Sequence, residues 1–145
     1  GDLRALRIPA AVNRLRGKIV AVESAGHMSL VDVAVADDQF TSIVVETPET
    51  SPYLHPGTEV WLLFKETEVS LAKNLSGEIS LRNRMRAVIH AIERGALLSE
   101  VTLDYKGMRV ASVITSRSVE RLALKPGDEV EGLVKANEVT LMEII

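Results

Sequence analysis

The sequence has no cysteine and very few aromatic residues. Its 145 residues include one Trp, two Tyr and two Phe, and no Cys at all. The lack of Cys excludes a disulfide scaffold, thiolate metal ligation and a cysteine nucleophile, and it is typical of a cytoplasmic protein. A chain that is 46% hydrophobic but only 3% aromatic must build its core from Val, Leu, Ile and Ala. Small aliphatic residues of this kind favour compact β-barrels.

Long apolar runs and an excess of basic charge are also missing. The longest apolar stretches, such as residues 60–64, are far too short to span a bilayer, and no signal-peptide pattern opens the chain. We therefore expect no membrane association. The net charge of −3 argues against autonomous nucleic-acid binding, which needs a basic face. The chain begins with Gly1 rather than Met, so we expect a fragment, and DNA binding only through a missing upstream domain.

The main feature that is present is an internal repeat. Sliding the chain by about seventy positions aligns it with itself without a gap. The aligned pairs include Asn13 with Asn83, Ile19 with Ile89, Pro56-Gly57 with Pro126-Gly127, Lys65 with Lys135, and Leu71 with Leu141. We interpret this pattern as a duplication, with residues 9–73 as the first copy and 74–145 as the second. Residues 1–8 have no counterpart and are predicted to form an N-terminal strap or tail.

Each copy shows the same order of secondary-structure elements. Alternating apolar and polar residues predict strands over 86–92, 98–105, 108–114, 129–135 and 139–144 of the second copy, with a short helix over 117–124. The first copy predicts strands over 17–22, 30–36, 40–45, 59–65 and 69–72, with a proline-rich segment at 47–57. Five short strands with a helix before the last pair are typical of a small OB-like barrel. The predicted fold is all-β, with two tandem OB-like small β-barrels, each with one short helix.

The second copy also carries a series of motifs. These are Ser80-Leu81-Arg82-Asn83, Gly95-Ala96 through Glu100-Val101, Ile114-Thr115-Ser116-Arg117-Ser118, Leu124-Lys125-Pro126-Gly127 and Lys135-Ala136. No single motif is specific, but in this order the second copy resembles the Mop module, the molybdate-binding barrel also called a TOBE domain. The resemblance covers the second copy fully and the first in outline, and the tandem arrangement is known in this family.

The resemblance implies a ligand and a set of residues that bind it. It implies non-covalent binding of molybdate or tungstate, without catalysis and by hydrogen bonds rather than by direct coordination of a metal. The implied ligands are Ser80, Arg82, Thr115, Ser118, Lys135 and the backbone amide of Ala136. In the family these groups often meet across a subunit interface, so the resemblance also implies a homo-oligomer, a dimer in a regulator or a trimer in a storage protein.

These residue types suit a tetrahedral dianion on chemical grounds as well. The anion offers only hydrogen-bond acceptors, and the hydroxyl groups of Ser and Thr are donors. Arg82 and Lys135 can offset the charge that burial makes costly. Ser118 falls in the first turn of the predicted helix, where free N–H groups favour an anion. A Ser at that position can also serve only as a helix cap.

The first copy acts as an internal control for this assignment. It has Ala10, Val12, Val45 and Pro48 where the second copy has Ser80, Arg82, Thr115 and Ser118, and only Lys65 is retained. One oxyanion site per chain is therefore predicted. A variant first-copy site that uses Thr47, Thr50 and Ser51 is left open. Asn13 and Asn83 occur in both copies, so we interpret this Asn as structural.

The sequence leaves several functional settings open. The three histidines lack metal-ligand spacing, and no nucleophile–base pair is evident, so we expect neither a metal site nor an enzyme. The preferred setting is the ligand-sensing domain of a molybdate- or tungstate-responsive transcription regulator. The alternatives are a free-standing storage protein, a regulatory domain of an oxyanion importer ATPase, and an oligomerisation module without ligand. The loss of donors in one copy argues against storage, where each site adds capacity.

Overall fold

The computed structural model describes residues 11–145, and the predicted N-terminal tail at 1–8 lies outside them. The described strands are β1 (Val12–Ala25), β2 (Met28–Val35), β3 (Asp38–Val44), β4 (Glu59–Lys65), β5 (Ser70–Ala72), β6 (Asn83–Arg94), β7 (Leu98–Tyr105), β8 (Met108–Thr115), β9 (Glu129–Val134) and β10 (Thr140–Glu143). One α-helix, α1 (Ser116–Arg121), follows β8. Short 3-10 helices at Glu66–Glu68 and Ala136–Glu138 precede β5 and β10. This architecture confirms the all-β prediction.

The strands form because apolar and polar residues alternate along them. In β1 the side chains of Leu15 and Ile19 are buried while their neighbours Arg16 and Lys18 are exposed. This alternation lets each strand bury one face in a barrel and expose the other. A core built mainly from Val, Leu and Ile, with a few larger side chains such as Phe40, fills the interior.

The two sheets exchange their last strands. Their strand orders are β10-β4-β1-β2-β3 and β5-β9-β6-β7-β8. Leu141 of the second copy thus pairs with Leu62 in the first sheet, and Leu71 of the first copy pairs with Gly132 in the second. Each barrel therefore contains four strands from one copy and one strand from the other.

The prediction of a short helix in each barrel is wrong for the first barrel. Helix α1 occupies the predicted place in the second barrel, but residues 47–57 of the first contain no α-helix. Only turns form there, and in the first of them the N–H groups of Thr50 and Ser51 donate to Thr47 O at 3.0 and 2.8 Å. Pro52 then prevents its continuation, because proline lacks an N–H and disfavours a helical conformation of the preceding residue.

Candidate functional site

Thr115 and Ser118 lie together where β8 enters α1, and we call this pair the cap half-site. Thr115 is the N-cap of α1 and its Oγ1 accepts a hydrogen bond from Ser118 N at 3.1 Å. The same Oγ1 donates to Ser118 Oγ at 2.9 Å. The hydroxyl proton of Ser118 is then directed to another acceptor, so the cap half-site can donate to an anion through Ser118. The helix-capping role considered from the sequence therefore belongs to Thr115.

A buried hydrogen-bond network fixes the position of this turn. Ser116 Oγ donates to Gly95 O at 2.7 Å, and Ser99 Oγ, also 2.7 Å away, must then be the donor to Ser116 Oγ. Ser116 N also donates to Leu97 O at 2.8 Å. A Cβ atom on Gly95 would lie 2.4 Å from Leu98 O, so this close approach requires glycine. The network joins the cap half-site to the turn between β6 and β7.

Ser80, Arg82, Lys135 and Ala136 occupy a different part of the second barrel, which we call the loop half-site. Asn83 at the start of β6 pairs with Val134 at the end of β9, so Arg82 and Lys135 each lie one residue beyond this pair, at the same end of the two strands. Both side chains are exposed. Two neighbouring cations repel each other, and a bound dianion would offset that repulsion. Ala136 begins a 3-10 helix, a position whose N–H has no partner within the helix.

The structure does not bring all six residues together within one chain. The loop half-site lies at the start of β6, whereas Thr115 pairs with Leu98 beyond the other end of that strand. Strand β6 has 12 residues, which at about 3.3 Å per residue separates its ends by roughly 35 Å along the strand. A single tetrahedral anion is far too small to contact both half-sites of one chain.

The repeated asparagines have a structural role, as interpreted from the sequence. Asn83 is fully buried, and its side-chain amide donates to Thr41 O at 2.9 Å and accepts from Thr41 N at 2.7 Å. Asn13 makes the same pair of bonds to Ala111 of the second copy. Each asparagine side chain thus makes the two hydrogen bonds that a neighbouring strand would make, and it links one barrel to the other.

The first barrel presents apolar or acidic residues at the corresponding places. Val12 pairs directly with Lys65, and these two residues align with Arg82 and Lys135 of the second copy. Glu66 takes the place of Ala136, which puts a negative charge at the position equivalent to a predicted oxyanion ligand. Residues 11–73 contain five basic and nine acidic residues, whereas residues 74–145 contain ten of each. Both features favour anion binding by the second barrel.

Two arginines beside the cap half-site were not among the candidates from the sequence. Arg117 and Arg121 line the same surface cavity as Thr115 and Ser118, with a volume of about 470 Å³. The first copy has Thr47 and Ser51 at these positions. Both positive charges occur only in the second copy, so a comparison of the two copies could have identified these arginines from the sequence.

Other kinds of site find less support in residues 11–145. Across these residues no group of three or more His, Cys, Asp or Glu side chains could hold a metal ion. Within the same range, no helix is both long and apolar enough to cross a membrane.

Both copies match one protein-family model, which is described as the TOBE domain and covers residues 9–71 and 79–141. Among curated proteins, the chain is 33% identical over 132 residues to the molybdenum-pterin-binding protein MopA of Rhodobacter capsulatus. It is 26% identical over 134 residues to the molybdenum transport protein ModE of Azotobacter vinelandii. These alignments cover 89% and 91% of this chain but only 50% of each relative. The chain therefore spans half the length of both relatives.

A solved structure is similar over nearly its whole length. It is the cytoplasmic molybdate-binding protein ModG with molybdate bound, at a TM-score of 0.84 and 31% sequence identity. The alignment covers 89% of this chain and 94% of that protein. The two-barrel arrangement is thus shared with a protein of closely similar size.

Proposed function

Because the chain belongs to the TOBE domain family, we propose that it binds molybdate or tungstate non-covalently, at one site per chain. The observation that carries the proposal is the asymmetry of the duplication: both barrels keep the fold, and only the second keeps the donors. The proposed ligands are Ser80, Arg82, Thr115, Ser118, Lys135 and the backbone amide of Ala136. The similarity to ModG, described with molybdate bound, supports the choice of ligand.

The separation of the two half-sites supports a site that is shared between two copies of the chain. The loop half-site of one copy would supply Arg82 and Lys135, and the cap half-site of its neighbour would supply Thr115 and Ser118. A homo-oligomer follows directly, because neither half-site alone surrounds an anion. Charge-assisted hydrogen bonds contribute about 1.5–3 kcal/mol each, so a few of them suffice for micromolar binding, about −8 kcal/mol.

The proposal includes no catalytic step. The three relatives are named for binding or transport, in agreement with the expectation that this chain is not an enzyme. An oxyanion held only by donors and positive charge is bound and released unchanged. We also infer a cytoplasmic location, as described for ModG.

Isothermal titration calorimetry with molybdate, tungstate and sulfate tests the binding itself. We expect one equivalent of molybdate or tungstate per chain and weak binding of sulfate. Arg82→Ala and Lys135→Ala should each abolish binding, whereas Lys65→Ala, at the matching position of the first barrel, should not change it. Unchanged affinity in both second-barrel variants would refute the site, and absence of heat with either metal oxyanion would refute the function.

Mixing two defective variants tests the sharing of the site. An Arg82→Ala chain lacks one half-site and a Thr115→Val, Ser118→Ala chain lacks the other. Each variant alone should bind no oxyanion. When the two variants are unfolded, mixed and refolded together, some contacts between copies will join the intact cap half-site of the first variant to the intact loop half-site of the second. A fraction of the binding should then return. A mixture as inactive as its components would contradict a shared site.

Within this function we favour a role as the sensing domain of a transcription regulator. One site per chain suits a switch better than a store, and ModE and MopA are each about twice as long as the matched region. Storage is the second candidate, because ModG matches over 94% of its own length. Sequencing the gene upstream of Gly1 decides between them. A winged helix-turn-helix there supports the sensor, and a start codon directly before Gly1 refutes it while leaving oxyanion binding intact.

A further inference from the structure

Lys73, the last residue of the first copy, reaches the C-terminal end of helix α1 in the second barrel. Its Nζ donates to Leu122 O at 3.0 Å, to Ala123 O at 3.3 Å and to Asp128 Oδ2 at 3.3 Å. An ammonium group has three N–H donors, and these three acceptors match them in number. We call Lys73 and its three partners the α1 clamp.

The α1 clamp acts on the end of the helix where backbone carbonyl groups have no partners within the helix. Leu122 is the C-cap of α1, and a lysine at this end both satisfies such carbonyls and interacts favourably with the helix dipole. Asp128 is itself held in place, because its Oδ2 accepts from Lys125 N at 3.0 Å. The side chains of Lys73 and Asp128 are only 25% and 14% exposed, so solvent screens their attraction less than at an open surface.

Two hydrogen bonds in series join the α1 clamp to the cap half-site. Leu122 O accepts from Lys73, and Leu122 N donates to Ser118 O at 3.0 Å. At the other end of the same turn, Ser118 N donates to Thr115 Oγ1 at 3.1 Å. Ser118 is thus held through its N–H by the N-cap residue and through its C=O by the residue that Lys73 binds.

Helix α1 depends on contacts at its ends because it is short. It has six residues, and isolated helices of this length are not stable in water. Of the six, only Ser116 and Val119 are buried, so packing holds the first turn of the helix more firmly than the last. Lys73 supplies contacts where packing supplies few.

The first barrel has neither the residues of the α1 clamp nor a helix for them to hold. The replacements are Glu143 for Lys73, Thr58 for Asp128 and Pro52 for Leu122. A carboxylate at the position of the lysine would repel carbonyl oxygens, and residues 47–57 contain no α-helix. The α1 clamp therefore occurs in the barrel that has the proposed donors, and it is not required by the barrel fold.

We propose that Lys73 is a positioning residue for oxyanion binding, through which the first copy orients the cap half-site of the second. The inference rests on the proposed function, because it concerns donors assigned to that site. Lys73 acts without touching the anion, by holding Leu122 and through it Ser118. Strand β5 ends at Ala72, so the strand exchanged into the second sheet carries Lys73 to the helix. The first copy thus contributes to binding although it lacks the donors.

Isothermal titration calorimetry with molybdate on the full chain tests this role. Lys73→Met keeps an apolar stem but removes the donors, and we expect it to weaken binding roughly tenfold, as for the loss of one charge-assisted hydrogen bond. Lys73→Arg should restore most of the affinity, because a guanidinium also donates to carbonyl and carboxylate oxygens. The matched control is Lys125→Met, which removes an equal charge beside the same Asp128 carboxylate and should leave the affinity unchanged. Circular dichroism verifies that all three variants fold.

Hydrogen exchange of the oxyanion-free chain gives an independent readout. Lys73→Met should speed exchange of the N–H groups of Leu122 and Ala123, which donate to Ser118 O and Glu120 O, and Lys125→Met should not. Unchanged exchange at both amides overturns the α1 clamp. Faster exchange with unchanged molybdate affinity refutes the positioning role and leaves the proposed function standing. Absence of heat from the unmodified chain refutes the proposed function, and with it the positioning role, even where exchange shows an intact clamp.

Discussion

Asn83 shows how a single side chain can take the place of a strand. Its amide satisfies both the N–H and the C=O of Thr41 at a position that is completely buried. Buried backbone groups need partners, and no apolar side chain could supply them. This requirement explains why the asparagine is present in both copies although only one copy has the residues proposed to bind the oxyanion.

We expect Asn83→Ala to lower the free energy of unfolding by about 2–4 kcal/mol. The substitution leaves the part-buried N–H and C=O of Thr41 without these partners, and an unsatisfied buried group costs about 1–3 kcal/mol. Urea denaturation measures the effect, with Asn137→Ala, an exposed asparagine, as the matched control. Equal stability of the two variants would contradict the structural role.

Arg14 and Arg84 occupy equivalent positions in the two copies but contact different partners. Arg84 binds Glu131 through Nε–Oε1 and Nη2–Oε2 contacts of 2.7 and 2.9 Å. The equivalent Arg14 instead lies over the ring of Trp61, 4.5 Å from its centroid. In both barrels the arginine side chain lies against the neighbouring strand, which is β4 for Arg14 and β9 for Arg84.

The pair of Arg84 and Glu131 predicts a dependence of stability on pH. The hydrogen bond from Arg84 lowers the pKa of the Glu131 carboxyl below its ordinary value of 4.5. The contribution of this pair is therefore present above pH 4.5 and is lost as the pH falls through the folded-state pKa. We expect Glu131→Gln to reduce the loss of stability on acidification, measured by urea denaturation between about pH 5 and 3. Glu78→Gln, in the exposed linker, should leave the profile unchanged, and identical profiles for all three proteins would argue against the pair.

Arg117 and Arg121 should act on the rate of oxyanion capture. They line the cavity of the cap half-site, and positive charge around a cleft raises the local concentration of anions. We expect Arg117→Gln to slow molybdate association about threefold or more at low ionic strength, and the difference to shrink at high salt. Stopped-flow kinetics measure it. Arg109→Gln changes the net charge equally at the other end of β8, and an equal effect there would exclude a local role.

At the scale of elements, the exchange of β5 and β10 decides which barrel each half of the chain stabilises. Strand β10 is paired only with β4 of the first sheet, and β5 only with β9 of the second. A substitution in the last strand of the second copy should therefore weaken the first barrel. Two separate tandem barrels would show the reverse.

Leu141→Ala provides the test, since this side chain is buried in β10. We expect a loss of about 2–4 kcal/mol, with faster hydrogen exchange concentrated in β4. The matched variant Leu71→Ala in β5 should increase exchange in β9 instead. Faster exchange in β9 on substitution of Leu141 would contradict the strand order.

The helices show how local sequence and barrel architecture interact. Helix α1 was predicted from the spacing of Val119, Leu122 and Leu124, and Val119 and Leu124 are buried. The helix ends sooner than predicted because Ala123 has a positive φ of 51°, which a helix cannot accommodate. In the first barrel the buried Leu54 occupies the place of Leu124 without a helix. The core position is thus retained although the chain reaches it differently.

At the scale of the whole molecule, the two barrels are one interlocked unit. Besides the exchanged strands, Ser42 Oγ donates to Val139 O at 2.6 Å and Ser112 Oγ to Val69 O at 2.7 Å, both buried. Lys106 of the second copy binds Asp37 of the first. The covalent link between the copies is therefore a minor part of what holds them together.

Cleavage of that link tests the interlocking. A protease site introduced at Ser76-Gly77, which are exposed, should be cut without loss of structure. The two fragments should co-elute under native conditions and unfold in one thermal transition, because every exchanged strand keeps its partner. Gel electrophoresis in denaturant serves as the control that the cut is complete. Fragments that separate without denaturant would show that the barrels are independent.

The sequence by itself determined the repeat, the strand pattern and the family, which the TOBE match over both copies confirms. These features are local or periodic, so neighbouring residues carry them: alternation specifies strands, and Pro126-Gly127 specifies a turn. The residues proposed to bind the oxyanion were likewise chosen from the contrast between the copies, and they remain a prediction. Only the tertiary structure decided that the last strands are exchanged and that the donors form two half-sites at opposite ends of β6. Alternation fixes which face of a strand is buried but not which edge it joins, because equivalent edges of the two copies offer the same backbone hydrogen bonds.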